Sequence, residues 1–458
     1  MCKRKPNIIL INADDLGYGD LGCYGSTVNS TPYIDYMAEN GLKFTNFYMA
    51  SPVCSPSRGA MMTGCYTRRI GFGMFEDRYV LFPGQGVGLN PNEITMAKLL
   101  KSAGYATMNV GKWHCGDQPE FLPINHGFDS FYGIPYVNDM GRQMGPRSGE
   151  LVYPLPLMKD ESVIEQQPDQ VTLTSRFTEQ AIQFMRDNKD NPFFLYMAHI
   201  HVHLPNYAPE RFMRESRNGR FGAALANMDW STGMLLYELK RLGLQEDTLV
   251  IFTSDNGARI TEGGSNAPLA GAKNTTWEGG LRVPCIFYWP GTIEAGQCDG
   301  LAASMDFYPT FARLAGVPIP DDRIIDGVDL EPLLSGRQSN RENFVYYCGN
   351  DLCAVRCGPW KLHVNRGVAW RESVPVKELY NLDDDIGETV NLYDSYPDVV
   401  ARLLDLIEQF RADLGDAFTN TPGNNVRPIG RVDNPQPLTH YDPSYPYYID
   451  IYDLTDSG

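Results

Sequence analysis

The sequence lacks any run of about 18 consecutive apolar residues, so no membrane-spanning helix is expected. It is also short of positive charge: 39 lysines and arginines face 56 aspartates and glutamates, a formal net charge of −17. Such a surface repels nucleic acid and anionic membranes, and neither is expected as a partner. An anionic substrate would then need its own local cluster of cations. A disulfide framework is missing too, because the ten cysteines are scattered over 458 residues. Cys353 and Cys357 have loose metal-ligand spacing, but no second pair completes a zinc site. There is no internal repeat and no low-complexity tract. A leader is imitated rather than present: Lys3, Arg4 and Lys5 precede an apolar run at 8–11 that is too short, and Asp14 and Asp15 end it. That stretch reads as a first buried strand, and the chain as it stands is expected to be soluble and cytoplasmic.

The length suits one large domain and a smaller one. Hydrophobic residues make up 43% and charged residues 21%, ordinary for a globular enzyme. Strand-like apolar runs at 7–12, 105–110, 192–198, 248–253 and 283–289 alternate with helical spacing at 94–103, 171–188, 221–242 and 303–315. This predicts an α/β fold, a large mixed, mostly parallel sheet sandwiched by helices. Composition turns polar near Leu334 to Arg341, which divides the chain into a catalytic domain over 1–338 and a smaller C-terminal α+β domain over 339–458. In the second part, 344–349 and 353–364 read as antiparallel strands. Val399, Val400, Leu403, Leu404, Ile407, Phe410 and Leu414 share one helical face. The tail over 440–453 holds five tyrosines and two prolines and is expected to drape over the body or over a neighbouring subunit of a homo-oligomer.

Four predicted strands end in polar residues: Asp14-Asp15, Gly111-Lys112-Trp113-His114, His199-Ile200-His201-Val202-His203, and Ser254-Asp255-Asn256. In an open parallel sheet, ligands bind at the carboxyl ends of the strands, so these groups should converge. Asp14, Asp15, Asp255 and Asn256 are hard oxygen donors that suit Ca²⁺ or Mg²⁺. Lys112, His114 and a histidine of the 199–203 run add positive charge and proton donors. Each piece alone is an ordinary turn, cap or packed histidine. Together they describe a metal-assisted site for a phosphate or sulfate ester. A further segment, Cys54-Ser55-Pro56-Ser57-Arg58, reads as a helix start with Ser55 as cap and Pro56 in the first turn. Cys54 then lies where backbone N–H groups favour an anion, with Arg58 one turn on.

Cys54 to Arg58, followed by Gly59-Ala60-Met61-Met62-Thr63-Gly64, resembles the signature of formylglycine-dependent sulfatases, of the arylsulfatase type. Gly111 to His114 resembles the family's second signature, and 7–15 and 252–257 its metal-binding strands. The stretch 272–280 resembles the segment that brings another active-site lysine, Lys273. The resemblance continues through 326–330 and 378–382. It implies an alkaline-phosphatase-like fold and hydrolysis of aryl, steroid or carbohydrate sulfate monoesters. It implies that a formylglycine-generating maturation enzyme oxidises Cys54 to an aldehyde, whose hydrate attacks sulfur beside a divalent ion, usually Ca²⁺. The implied metal ligands are Asp14, Asp15, Asp255, Asn256 and the modified Cys54. Arg58 would hold the nucleophile, Lys112 and Lys273 the sulfate oxygens. His203 would protonate the leaving oxygen, with His199 and His201 as secondary candidates, and His114 would help release sulfate. Val137 stands where relatives of this type carry a sulfate-contacting serine, so either Asn138 takes over or the sulfate contact is looser, with His201 a further substrate contact. The competing readings are a phosphate or phosphonate ester hydrolase of the same superfamily, and an inactive binding protein of the same fold. The segments 136–153, 206–220 and 365–374, with the tail, are expected to frame the pocket.

Overall fold

The computed structural model describes residues 5–141, 153–442 and 444–447. Eighteen strands are described. In chain order they are β1 (Asn7–Ala13), β2 (Leu42–Phe44), β3 (Phe47–Tyr48), β4 (Val87–Gly88), β5 (Ala106–Lys112), β6 (Ser130–Ile134), β7 (Pro156–Lys159), β8 (Ser162–Gln166) and β9 (Phe193–Ala198). The rest are β10 (Thr248–Ser254), β11 (Cys285–Tyr288), β12 (Gly296–Cys298), β13 (Ala302–Ala303), β14 (Asn343–Cys348), β15 (Asp351–Cys357), β16 (Trp360–Arg366), β17 (Val374–Asn381) and β18 (Gly430–Arg431). The described residues also form ten α-helices: α1 (Pro32–Glu39), α2 (Cys54–Thr63), α3 (Met96–Ser102), α4 (Gln170–Asp187), α5 (Glu210–Glu215), α6 (Gly219–Leu242), α7 (Glu278–Leu281), α8 (Phe307–Ala315), α9 (Glu331–Leu334) and α10 (Pro397–Leu414).

Ten strands form the main sheet, in the order β12-β2-β11-β10-β1-β9-β5-β6-β7-β8. The middle five, β10-β1-β9-β5-β6, run parallel. Antiparallel pairs flank them: β10 with β11 on one side, β6 with β7 and β7 with β8 on the other. The central strands are apolar throughout because both faces are covered. Ile8 and Leu10 of β1 pack with Met61 and Met62 of α2, Leu99 of α3 and Phe311 of α8. Ile9 and Ile11 point the other way, into a second core with Ile34 of α1, Phe177 of α4 and Leu225 of α6. Period-two alternation thus serves two cores at once.

The antiparallel hairpin β7-β8 and the short strands β2 and β12 carry too few residues to announce themselves in the sequence. The run 353–364 is two strands, β15 and β16, joined at Gly358, which takes a positive φ of 58°. With β14 and β17 they make a four-stranded antiparallel sheet, onto which Leu403 and Ile407 of α10 pack. The chain then returns to the main body, where β18 pairs with β4. Gln436 donates its backbone N–H to Gln118 Oε1 (2.8 Å), and Thr439 Oγ1 donates to Pro154 O (2.6 Å). Residues 443 and 448–453 of the tyrosine-rich tail, and 142–152 of the expected pocket-framing loops, lie outside the described residues. The nine described cysteines are free thiols. Among the described residues no helix is long and apolar enough to cross a membrane.

Candidate active site

Strands β10, β1, β9 and β5 are adjacent and parallel, so their carboxyl ends lie side by side. This brings together Asp255, Asp14, the histidine run and Lys112, which the chain separates by up to 241 residues. Asp14 N–H donates to His201 O (3.0 Å) and Asp255 N–H to Ala13 O (3.1 Å), which extends the sheet pairing into the site itself. Helix α2 is buried along its whole length and presents its first residue, Cys54, to this edge.

The helix start differs from the expected one. The cap is Val53, with no side-chain hydrogen bond, and Ser55 and Pro56 are already helical. Ser55 Oγ instead accepts the backbone N–H of Leu81 (3.1 Å). The first backbone donors of α2 therefore carry no serine cap, and Cys54 stands at the first helical position.

The side chains meet closely. Cys54 Sγ lies 3.5 Å from Asp14 Oδ1. Asp14, Asp15, Cys54 and Asp255 each offer a ligand atom, and these atoms lie within 4.8 Å of one another. Lys112 Nζ donates to Asp14 Oδ2 (2.5 Å) and Lys273 Nζ to Asp15 Oδ2 (2.7 Å). Arg58 Nε donates to Asp255 Oδ2 (2.9 Å), and its Nη1 to Lys112 O and Tyr196 Oη (both 3.2 Å). Asn256 Nδ2 donates to Asp15 Oδ1 (2.7 Å), while Asn256 Oδ1 is buried without a partner. Three carboxylates thus face three permanent cations.

Burial opposes every one of these charges, and at Asp14 and Asp15 the neighbouring cations outweigh it. Burial would raise Asp14, but Lys112 and Arg58 outweigh it and keep its carboxyl below the usual carboxylate range. Lys273 does the same for Asp15. Asp255 goes the other way, raised by burial and by the neighbouring Asp14 charge. Burial pushes the Cys54 thiol up, against the pull of Lys112 and Lys273. An unmodified Cys54 is therefore a neutral thiol, a poor nucleophile.

The three histidines of the run separate clearly. His203 Nδ1–H donates to Leu204 O (2.7 Å), which turns Nε2 toward Asp15 Oδ2, 3.8 Å away. Burial drives His199 down to about 3 and His201 to about 4, so both rings are neutral near pH 7. His114 Nε2 donates to Leu81 O (3.0 Å), and burial with the Lys112 charge pushes its pKa well down. Asn138 is buried, with its amide on Gln170 Oε1 (2.9 Å) and Pro205 O (3.1 Å).

The backbone is specialised where the chemistry is. Asp15 (φ 59°) and His114 (φ 61°) both occupy the left-handed region, sparsely populated for such residues and recurrent at active sites. Gly111 has φ 99°, and a Cβ there would lie 1.8 Å from Ala198 O. Only glycine lets β5 approach β9 so closely just before Lys112.

Sequence reasoning missed three supports. Tyr196 Oη accepts from Asn12 Nδ2 (3.1 Å) as well as from Arg58. Ser57 Oγ donates to Asp255 O (2.5 Å), and Ser254 Oγ accepts Leu16 N–H (3.0 Å). A tyrosine inside an apolar strand was the one available signal.

A sulfatase family model matches residues 6–317, and a model of the C-terminal part of N-sulphoglucosamine sulphohydrolase matches residues 272–413. Human arylsulfatase A is 39% identical over 93% of this chain and 91% of its own length. The chain belongs to the sulfatase family. Rat N-acetylgalactosamine-6-sulfatase is 41% identical to this sulfatase over 79% of the chain and 72% of its own length. Among solved structures, the PsFucS1 sulfatase from Pseudoalteromonas sp. superposes with a TM-score of 0.79 at 30% identity, covering 89% of this chain and 91% of that one. Ps i-CgsB in complex with k-i-k-neocarrahexaose gives 0.78 at 31%, covering 89% and 93%. This sulfatase is a sulfuric ester hydrolase with the mostly parallel α/β fold expected from its alternating strands and helices. Family members use a formylglycine and a divalent metal, and a buried carboxylate–cysteine cluster of the right kind is present here.

Proposed function

We propose that this chain hydrolyses sulfate monoesters with residue 54 in its formylglycine form, beside a Ca²⁺ ion held by Asp14, Asp15, Asp255, Asn256 and residue 54. The observation that carries the reading is the meeting of Cys54 with three carboxylates and two lysines in one buried cluster. The donor set fits the ion: carboxylates and an amide oxygen suit a hard cation, and the orphaned Asn256 Oδ1 lacks only an electron-pair acceptor. Charge supports it too. The three carboxylates and three cations sum to zero, so a divalent ion would leave the site at +2, matched to an incoming anion. Hydrated formylglycine supplies the attacking oxygen and a second hydroxyl that lets the site reset.

The chain's own residues do the rest. Lys112 and Lys273, now on Asp14 and Asp15, would bind sulfate oxygens; a cation on those carboxylates would supply the charge that frees them. Arg58, forked onto Asp255 and braced by Tyr196, fixes the carboxylates. His203, held through Nδ1 by Leu204 O, delivers a proton from Nε2 to the leaving oxygen. His199 and His201, neutral and buried, rank behind it as donors. His114 accepts a proton through Nδ1. Asn138 builds the pocket wall with Gln170 rather than replacing the missing serine at 137. The relatives' names span aryl and amino-sugar sulfates, so the rim of the pocket selects the alcohol.

Mass spectrometry of the peptide carrying Cys54, after co-expression with a maturation enzyme, should find the aldehyde. Paired assays on phenyl sulfate and phenyl phosphate should favour the sulfate ester. A faster phosphate ester, at saturation and at low concentration, would overturn the reading.

A further inference from the structure

The loop 81–85 reaches the site through the Leu81 carbonyl, and three of its backbone N–H groups are held by side chains. Leu81 N–H donates to Ser55 Oγ (3.1 Å). Phe82 N–H donates to Gln85 Oε1 (2.7 Å). Gly84 N–H donates to Asp117 Oδ2 (2.6 Å). Between the first two donors lies the Leu81 carbonyl, which contacts His114 Nε2 at 3.0 Å. A carbonyl oxygen can only accept, so Nε2 must carry the proton. The neutral ring has one proton, and Nδ1 is then a bare lone pair. Nδ1 is buried and without a partner, in a ring that feels the charges of Lys112, Arg58 and His203. The Gln85 bond to the N–H of the same peptide group also polarises the Leu81 carbonyl, which strengthens its grip on the ring.

We propose that Ser55 and Gln85 are positioning residues for His114: they frame the Leu81 carbonyl, which locks the ring as its Nε2–H tautomer and keeps Nδ1 as the proton acceptor of the site. This rests on the role given to His114 above. The lock acts on His114 and not on the substrate, so its loss should lower kcat and spare KM.

Two measurements test it. In ¹⁵N-histidine-labelled protein, with Cys54 unmodified, the His114 signals are identified by their loss in His114→Ala. They should show the Nε2–H form in the parent chain and a tautomer mixture in Ser55→Ala and Gln85→Ala. In matured enzyme, with rates normalised to measured aldehyde, Ser55→Ala should lower kcat about fivefold, the equivalent of one hydrogen bond, and Ser55→Thr should restore it. Ser55→Ala should have no further effect in a His114→Ala background. An Nδ1–H parent ring, or an unchanged tautomer in both alanine variants, would overturn the proposal. A His114→Ala enzyme with full kcat would instead overturn the role of His114, a failure separate from the tautomer result.

Discussion

At the residue scale, the site pairs each buried carboxylate with a cation, and each pair has a distinct job. Asp255 touches Arg58 and stands among the ligand atoms, so Asp255→Asn should abolish metal retention and lower kcat/KM on the order of a hundredfold or more. Metal analysis after gel filtration, beside initial rates, checks both. Lys273 reaches Asp15 but offers no ligand, so Lys273→Ala should keep the metal while kcat/KM falls about a hundredfold. If Lys273→Ala loses the ion as readily as Asp255→Asn, the assignment of Lys273 to the sulfate is wrong. The residue types and their order along the chain were legible from the start. Tyr196, Ser57 and the bond from Ser55 to Leu81 were not, because a hydroxyl finds its partner only after the chain has folded.

At the scale of elements, helices α4 and α6 show how polar groups join a sandwich layer. Glu238 of α6 is buried and accepts from Arg241 at 2.6 and 2.8 Å and from Arg186 of α4 at 2.8 and 3.3 Å. Arg241 and then Arg186 hold its pKa at about 2, below the ordinary 4.5. A depressed folded pKa contributes stability above the unfolded value and loses it as pH falls from 4.5 toward 2. Both arginines are about half exposed, so solvent screening keeps the contribution of the cluster modest. Glu238→Gln should therefore lower the calorimetric midpoint at pH 7, and the gap should shrink below pH 4.5. A gap that stays constant with pH would assign the loss to packing instead. The long helices and central strands were readable because periodicity over many residues carries a strong signal. The β15–β16 turn and the β7–β8 hairpin were not, because short antiparallel strands alternate too briefly to be told from loops.

At the scale of the whole molecule, the smaller sheet grips the segment that carries Lys273. Thr275 bridges to Val368, and Lys361 Nζ donates to Thr276 O (3.0 Å) and Glu278 Oε1 (3.0 Å). Lys361 also pairs with Glu388 at 2.9 Å, which in turn accepts Glu278 N–H (2.8 Å). All three side chains are buried. Removing one partner from such a cluster leaves buried charge uncompensated, so Lys361→Met should cost about 3–5 kcal/mol. Adding Glu388→Gln should recover part of the loss in scanning calorimetry. A small shift in Lys361→Met, with no recovery in the double variant, would show that the cluster contributes little.

The sequence by itself determined the alternation of strand and helix, the carboxylates and amide at the strand ends, and the signature around Cys54. These are local properties, written in periodicity and in residues whose chemistry has few other uses. Tertiary structure decided which of the three histidines faces Asp15, where Asn138 points, and that the smaller sheet holds the Lys273 segment. Side-chain direction at a strand end depends on the turn that follows and on neighbours hundreds of residues away, and no window of sequence contains both.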